Sequence, residues 1–308
     1  MVKASDMQPF EKGDVLVGAT VLGHADDDHA GDGRIIQYDN NLNRKGELWI
    51  EETNHLIMGL KFESDGTLWA FEDHNTIKVS PAGDLLEVQN FDDRMFSNVC
   101  FASDGTLILG EHAIEVELPE GIFTTTLIRM PDGRLGDGKA YRYSRDGQML
   151  ETYDTKITKS LGKFLAVTCA VLSPDETRLI YVTETGDLVM QYDLVNNQQL
   201  EDLLVLEGDD MMQNMVFWLA YTPDQRLLVC RGDHIRVIDD RTGELKERFE
   251  LGPFGFAAIA ASPDNRHVYG SSFLSGEVVK VDIDTGETVA RADVGVQRST
   301  AGIAEYPG

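Results

Sequence analysis

The chain has 308 residues, 42% of them hydrophobic and 8% aromatic, enough to bury a large core in one domain or two. Its 53 acidic residues against 27 basic ones leave a net charge of −26. So negative a field repels phosphate backbones and anionic lipid surfaces, so neither nucleic acid nor a membrane is an expected partner.

The first residues, "MVKASDMQPFEKGDVLVGATVLG", lack the basic start and apolar run of a secretory signal. No run along the chain approaches the roughly 18 apolar residues of a membrane-spanning helix. Two strand-like segments follow, "DVLVGATVLG" and "GRIIQYDNNLNRKGELWIEE", separated by the stretch "GHADDDHAGDG" at 23–33. That stretch reads as a loop. It fails as an EF-hand: counted from Asp28, position 3 is Ala30, and residues 34–38 read as a strand running into a hairpin. As one wall of a shared site, its expected contributor is His24, with Asp26 and His29 beside it.

Self-similar units come next. "FESDGTLWAF" (62–71) and "FASDGTLILG" (101–110) are near copies, and a second subtype recurs as "LSPDETRLIYV", "YTPDQRLLVC" and "ASPDNRHVYG". Between them lie hairpin segments such as "NTIKVSPAGDLLEV" and "GEVVKVDIDTGETVARA". Short apolar runs separated by Asp, Gly, Pro and Asn are strand-and-turn chemistry, and four strands per unit of about 40 residues point to a β-propeller. The units fall at 55–92, 96–155, 165–206, 213–251 and 254–294. The N-terminal segment 14–54 supplies strands two to four of a further unit, and "STAGIAEYPG" (299–308) its first. The expectation is therefore an all-β, single-domain, six-bladed propeller whose ring closes by pairing the two ends of the chain.

Unit 96–155 carries an insertion at 113–138, read either as a decorative hairpin or as a lid. Cys100, Cys169 and Cys230 lie in apolar runs, with neither zinc nor redox spacing, which fits core packing in a reducing cytoplasm.

In such a blade, the turns from strand one to two and from three to four lie on one face. The loops from strand two to three and from blade to blade lie on the other, where propeller ligands usually sit. Six of the seven histidines, all but His267, fall on that second face. Seven residues after each turn aspartate come Glu72, Glu111 and Arg231, with Glu184 and Ser271 or Ser272 at the matching places in longer-turned blades. His74, His112, Asp233 and His234 lie just beyond. Clustered histidines and carboxylates suit acid–base chemistry or a divalent cation. The expected catalytic set is thus His24, Glu72, His74, Glu111, His112, Glu184, Arg231 and His234. Arg231 would stabilise anionic charge. A divalent cation such as calcium or magnesium would be held by Glu72, Glu111 and His112. Blade-entry segments add His55, Phe96, Asn98, Met211 and Phe254 as substrate contacts, with Met212, Asn214 and Phe256 nearby.

"LSPDETRLIYVTETGDLVMQYDL" and "SPDNRHVYGSSFLSGEVVKVDIDTGE" resemble the YVTN-type propeller repeat. "MGLKFESDGTLWAFEDHNTIKVSPAGDL" is similar to blades of the gluconolactonase/senescence-marker-protein group and of virginiamycin B lyase. The first of those enzyme groups implies calcium held near the starts of first strands, where this chain offers Met58, Ser97, Thr168, Phe217 and Ala257, none a carboxylate. The second implies histidine, glutamate and magnesium on the ligand face, matched in type by Glu111–His112 and Glu72–Asp73–His74. These resemblances favour a lactone or ester hydrolase, or a lyase, acting on a small molecule. A non-catalytic module that binds a ligand or a protein is the competing expectation.

Overall fold

The computed structural model describes residues 4–24, 27–53, 56–112, 136–158, 166–207 and 214–308, with backbone alone at 27–29 and 51–52. The described residues form 25 strands in six antiparallel sheets. Blade 1 holds β1 (Val15–His24), β2 (Asp27–Tyr38) and β3 (Arg44–Thr53). Blade 2 holds β4 (Met58–Phe62), β5 (Leu68–Glu72), β6 (Asn75–Val79) and β7 (Leu85–Asn90). Blade 3 holds β8 (Phe96–Phe101), β9 (Leu107–Glu111), β10 (Ala140–Tyr143) and β11 (Met149–Tyr153). In blade 4, β12 (Cys169–Leu172), β13 (Arg178–Val182) and β14 (Leu188–Asp193) are followed by an outer strand broken into β15 (Gln198–Gln199) and β16 (Leu204–Val205). Blade 5 runs β17 (Trp218–Tyr221), β18 (Leu227–Cys230), β19 (His234–Ile238) and β20 (Leu245–Glu250). Blade 6 runs β21 (Phe256–Ala261), β22 (His267–Ser272), β23 (Glu277–Asp282) and β24 (Thr288–Asp293). The last strand, β25 (Thr300–Glu305), returns to blade 1 and pairs with β1, placing Val15 opposite Glu305 and Val17 opposite Ile303. The protein is a six-bladed β-propeller.

The repeated turns explain the repeat. In "SDGT" the Asp65 carboxylate accepts from the Thr67 N–H at 2.9 Å, and Asp104 does the same for Thr106 at 2.9 Å. Gly66 and Gly105 meanwhile take φ of 86° and 85°, the left-handed conformation that glycine adopts without a Cβ clash. In the second subtype Glu176, Gln225 and Asn265 hold that conformation instead, at 54°, 70° and 61°.

Alternation sends successive side chains to opposite sides of a blade. Leu68 and Ala70 of β5 pack with Leu16, Ile35 and Leu48 of blade 1, whereas Trp69 and Phe71 pack with Phe96, Val99 and Tyr141 of blade 3. Both sides are buried, and each such side chain contributes about 1.5–3 kcal/mol. Inner strands approach so closely that a Cβ on Gly59 would lie 1.6 Å from the Ser97 carbonyl oxygen. The three cysteines are free and buried, and their thiols donate across blades: Cys100 to Ala170 O (3.3 Å), Cys169 to Leu219 O (3.5 Å) and Cys230 to Phe256 O (3.3 Å).

One local expectation is corrected. "GHADDDHAGDG" is not a loop but two strand ends: β1 reaches His24, which pairs with Asp27, the first residue of β2. The glycines allow it, since a Cβ at Gly31 would sit 2.2 Å from the Val21 carbonyl oxygen. His24 stands exposed at the tip of this hairpin. Of the insertion, residues 113–135 lie outside the described part of the chain, as do His55, Met211 and Met212 and the His29 side chain.

Candidate functional site at the channel mouth

In blades 3 to 5 the linker arriving from the preceding blade meets the side chain at, or just past, the end of the second strand. In blade 3 this is Glu111, fully buried. Arg94 from the linker donates to its two oxygens at 3.2 and 3.3 Å, the Gly138 N–H donates at 2.8 Å, and the Tyr141 hydroxyl lies 3.3 Å away. Asp137 accepts from Arg94 at 3.1 Å and is also bonded to the Tyr141 hydroxyl. Burial pushes the Glu111 carboxyl up to about 7, against the pull of Gly138 and Arg94 and with a further push from Asp137.

Blade 2 repeats the position with Glu72. A two-residue hairpin of Asp73 and His74 joins β5 to β6, with Glu72 opposite Asn75 and Asp73 at φ 45°. Burial and then the Asp73 charge raise the Glu72 carboxyl, which accepts from Asn75 at 3.3 Å. His74 is buried with neither ring nitrogen hydrogen-bonded.

In blade 5 the position is Arg231, 3% exposed, whose Nε donates to the linker carbonyl of Met215 at 2.7 Å. Burial and the neighbouring Arg236 bring its pKa down to about 10. His234 is buried beside it, its Nδ1 2.5 Å from Asp233, and burial lowers its pKa against the raising effect of that carboxylate.

Blade 4 corrects the superposition. Thr183, not Glu184, occupies the equivalent place: its hydroxyl donates to the linker carbonyl of Ala166 at 2.7 Å, as Arg231 does to Met215. The "SPDE" turn is one residue longer than "SDGT" and shifts the register by one. Glu184 thereby becomes the counterpart of His112, and the two residues face each other across the gap between blades 3 and 4. His112 Nε2 lies 3.9 Å from Glu184 Oε2, with the His112 side chain fully buried and that of Glu184 29% exposed. Thr168 ties the cluster together. Its hydroxyl accepts from the Glu184 N–H at 2.8 Å, and its carbonyl accepts from Ser97 Oγ at 2.5 Å and Asn98 Nδ2 at 3.4 Å. Asn98 Oδ1 is buried without a hydrogen-bond partner, and Asn98 lines the upper wall of the central channel.

The expected residues therefore sort into five places. His112, Glu184 and Asn98 come together at the mouth between blades 3 and 4, while Glu111 lies on the opposite side of blade 3, toward blade 2. Glu72 and His74 sit in blade 2, Arg231 and His234 in blade 5, and His24 at an exposed hairpin tip. Phe96 is an aromatic core residue, edge-on to Tyr141 and Tyr143 at 6.0 Å each, and not a binding floor. Phe254 is half-buried against Phe217, with ring centroids 5.7 Å apart. Arg94, Tyr141, Thr168 and Thr183 were not expected. Arg94 was legible as the one cation in the acidic linker "DDRMFSN".

The metal expectation is corrected as well. Glu72, Glu111 and His112 do not share a point, because Glu111 turns to Arg94 within blade 3 while Glu72 is held by Asn75 in blade 2. Among the described residues, the one group of three with ligand atoms within 4.8 Å of each other is Asp233, His234 and Glu250. There Arg248 binds Glu250 at 2.9 Å, and Arg231 and Arg248 both depress the His234 pKa, so the local field opposes a cation. The starts of the first strands fit calcium no better, since Met58 and Phe217 are core residues and Ser97 is spent on the Thr168 carbonyl.

No protein-family model matches the chain, and no curated protein matches it by sequence. Among solved structures, a chain from a nidogen/laminin complex is similar, with a TM-score of 0.65 and 13% identity over 94% of this chain and 97% of that one. At that identity the likeness is one of fold, the six-bladed propeller.

Proposed function

We propose that this propeller acts on a small molecule at the mouth between blades 3 and 4 by acid–base chemistry, as a lactone or ester hydrolase or as a lyase. The observation that carries the reading is the His112–Glu184 pair, contributed by two blades and tied to Asn98 through Thr168. The part-exposed Glu184 carboxylate is the member a ligand can reach. It would take a proton from an attacking water in hydrolysis, or from a carbon next to a carbonyl in elimination. His112 would steady the protonated acid, and Asn98 would orient the substrate. No resident metal enters this scheme.

The test is turnover of a panel of lactones and aryl esters by the wild type and Glu184→Gln. General acid–base roles contribute about 10²–10⁴ in rate, so the variant should lose at least 100-fold with its unfolding midpoint retained. Absence of turnover, or equal rates in the two proteins, would leave the second reading. That reading is a non-catalytic binding module, favoured by the full set of partners around Glu111 and by the similar chain having been solved in a complex.

A further inference from the structure

The inner strand of each blade is hydrogen-bonded on one side only, so six strand edges face the central axis. They enclose a cavity of about 380 Å³ lined by β4, β8, β12, β17, β21 and β25, within the range that holds small organic ligands. Most of the lining lies below the mouth described above, toward the turns between first and second strands. Phe62, Phe101, Leu172 and Tyr221, all half-buried, form an apolar rim there.

Within this wall stands Lys61, the fourth residue of β4, paired with Trp69. It is exposed, and it makes no ion pair or hydrogen bond with any described residue. Cys100 and Cys169 line the same cavity, and the Lys61 charge pulls their thiols downward while burial raises them. The other charged residue of the wall, Glu305, is turned toward blade 6, in the field of Lys280, and burial lifts its carboxyl above the ordinary range. In a protein of net charge −26, where acids outnumber bases about two to one, an unpaired lysine in the axial cavity is against the compositional trend. Such a cation concentrates one negative charge where the surrounding field would otherwise repel it.

We propose that the central channel is a binding site for a small organic carboxylate, its anionic end on Lys61 and its apolar body against the Phe62, Phe101, Leu172 and Tyr221 rim. One cation and an apolar rim match a monocarboxylate. Inorganic phosphate, with between one and two charges at neutral pH and no apolar part, would leave charge uncompensated in a strongly negative field and gain nothing from the rim. Open inner-strand N–H groups supply the remaining donors to the carboxylate oxygens.

Calorimetry and thermal unfolding with benzoate, hexanoate, acetate and inorganic phosphate, at constant ionic strength, decide it. Benzoate or hexanoate should bind and raise the unfolding midpoint, more strongly than acetate. Lys61→Met should weaken that binding by about tenfold or more, and Lys61→Arg should preserve it. Because Lys61 is exposed, its replacement should leave the fold intact. Ala260→Phe, which fills the channel from blade 6, should abolish binding with Lys61 still in place. The proposal is overturned if no carboxylate binds at about 10 mM, if Lys61→Met binds as well as the wild type, or if phosphate binds more tightly than benzoate. The site is independent of the acid–base reading, since Glu184→Gln should bind benzoate unchanged even if it has lost turnover.

Discussion

Glu111 shows how a single side chain can be held far from its ordinary chemistry while fully partnered. Arg94, the Gly138 N–H and the Tyr141 hydroxyl all favour its anion, yet burial outweighs them and the carboxyl rises from 4.5 to about 7. Between those values the folded protein keeps a proton that the unfolded chain has released. Stability from this group is therefore greatest below about pH 4.5, falls as pH rises, and is fully lost above about pH 7. The window corresponds to ~3 kcal/mol at most. Glu111→Gln removes the titration, so subtracting its urea-unfolding free energies from those of the wild type at pH 5 and pH 8 should give a difference that shrinks toward high pH. Parallel curves for the two proteins would mean that Glu111 ionises normally. The chemistry at this residue was only half visible in the sequence. Its place at the end of a second strand followed from the repeat, but Arg94 stands in a blade-entry linker and Tyr141 in a third strand, and only the fold brings them together.

At the level of the strand and its turns, the sequence was most readable where glycine and aspartate fix the backbone. "SDGT" and "SPDE" mark the same turn because Glu176, Gln225 and Asn265 accept the left-handed conformation that Gly66 and Gly105 take freely. The extra residue in "SPDE" moves the matching position from seven to eight after the turn aspartate, which is Thr183, and an allowance of two residues overshot it to Glu184. The length of the turn shows in the sequence, but how many residues it adds ahead of the second strand is fixed only by the hydrogen-bond register. The strand ends of "GHADDDHAGDG" were hidden for a related reason: acids and glycines read as turn, while the close passage of Gly31 over the Val21 carbonyl makes them strand. Gly59 carries the sharpest requirement of this kind, because blade 2 meets blade 3 there with no room for a methyl group. Gly59→Ala should lower the unfolding free energy by about 1–3 kcal/mol through displacement of the Ser97 carbonyl from the inner strand of blade 3. Full stability in that variant, measured by denaturant titration, would show that β4 and β8 can part without penalty.

Over the whole molecule, the ring and the charge act against each other. The net charge of −26 repels the compact state and also keeps separate copies apart, whereas ring closure covers the β1 edge with β25 and turns the inner strand edges toward the axis, away from other copies. Closure depends on β25: its pairing with β1 covers Val15, Leu16 and Val17, all at 0% exposure, and buries Ile303 and Ala304. Removing residues 299–308 would open that edge and at the same time uncover the inner wall of blade 1. The consequences differ with salt. At low ionic strength, charge repulsion should hold the truncated chains apart as loosened monomers, with a lower and broader unfolding transition than the full chain. Raising the salt to about 0.5 M shortens the screening length to a few ångströms and removes that protection. The truncated protein should then elute as large assemblies on size-exclusion chromatography, whereas the intact ring, with β1 covered by β25, should become more stable. A peptide of residues 299–308 added in excess should restore the monomer by supplying the missing strand. A truncated chain that stays monomeric at high salt, with the unfolding midpoint of the full chain, would show that the other five blades hold the ring without it.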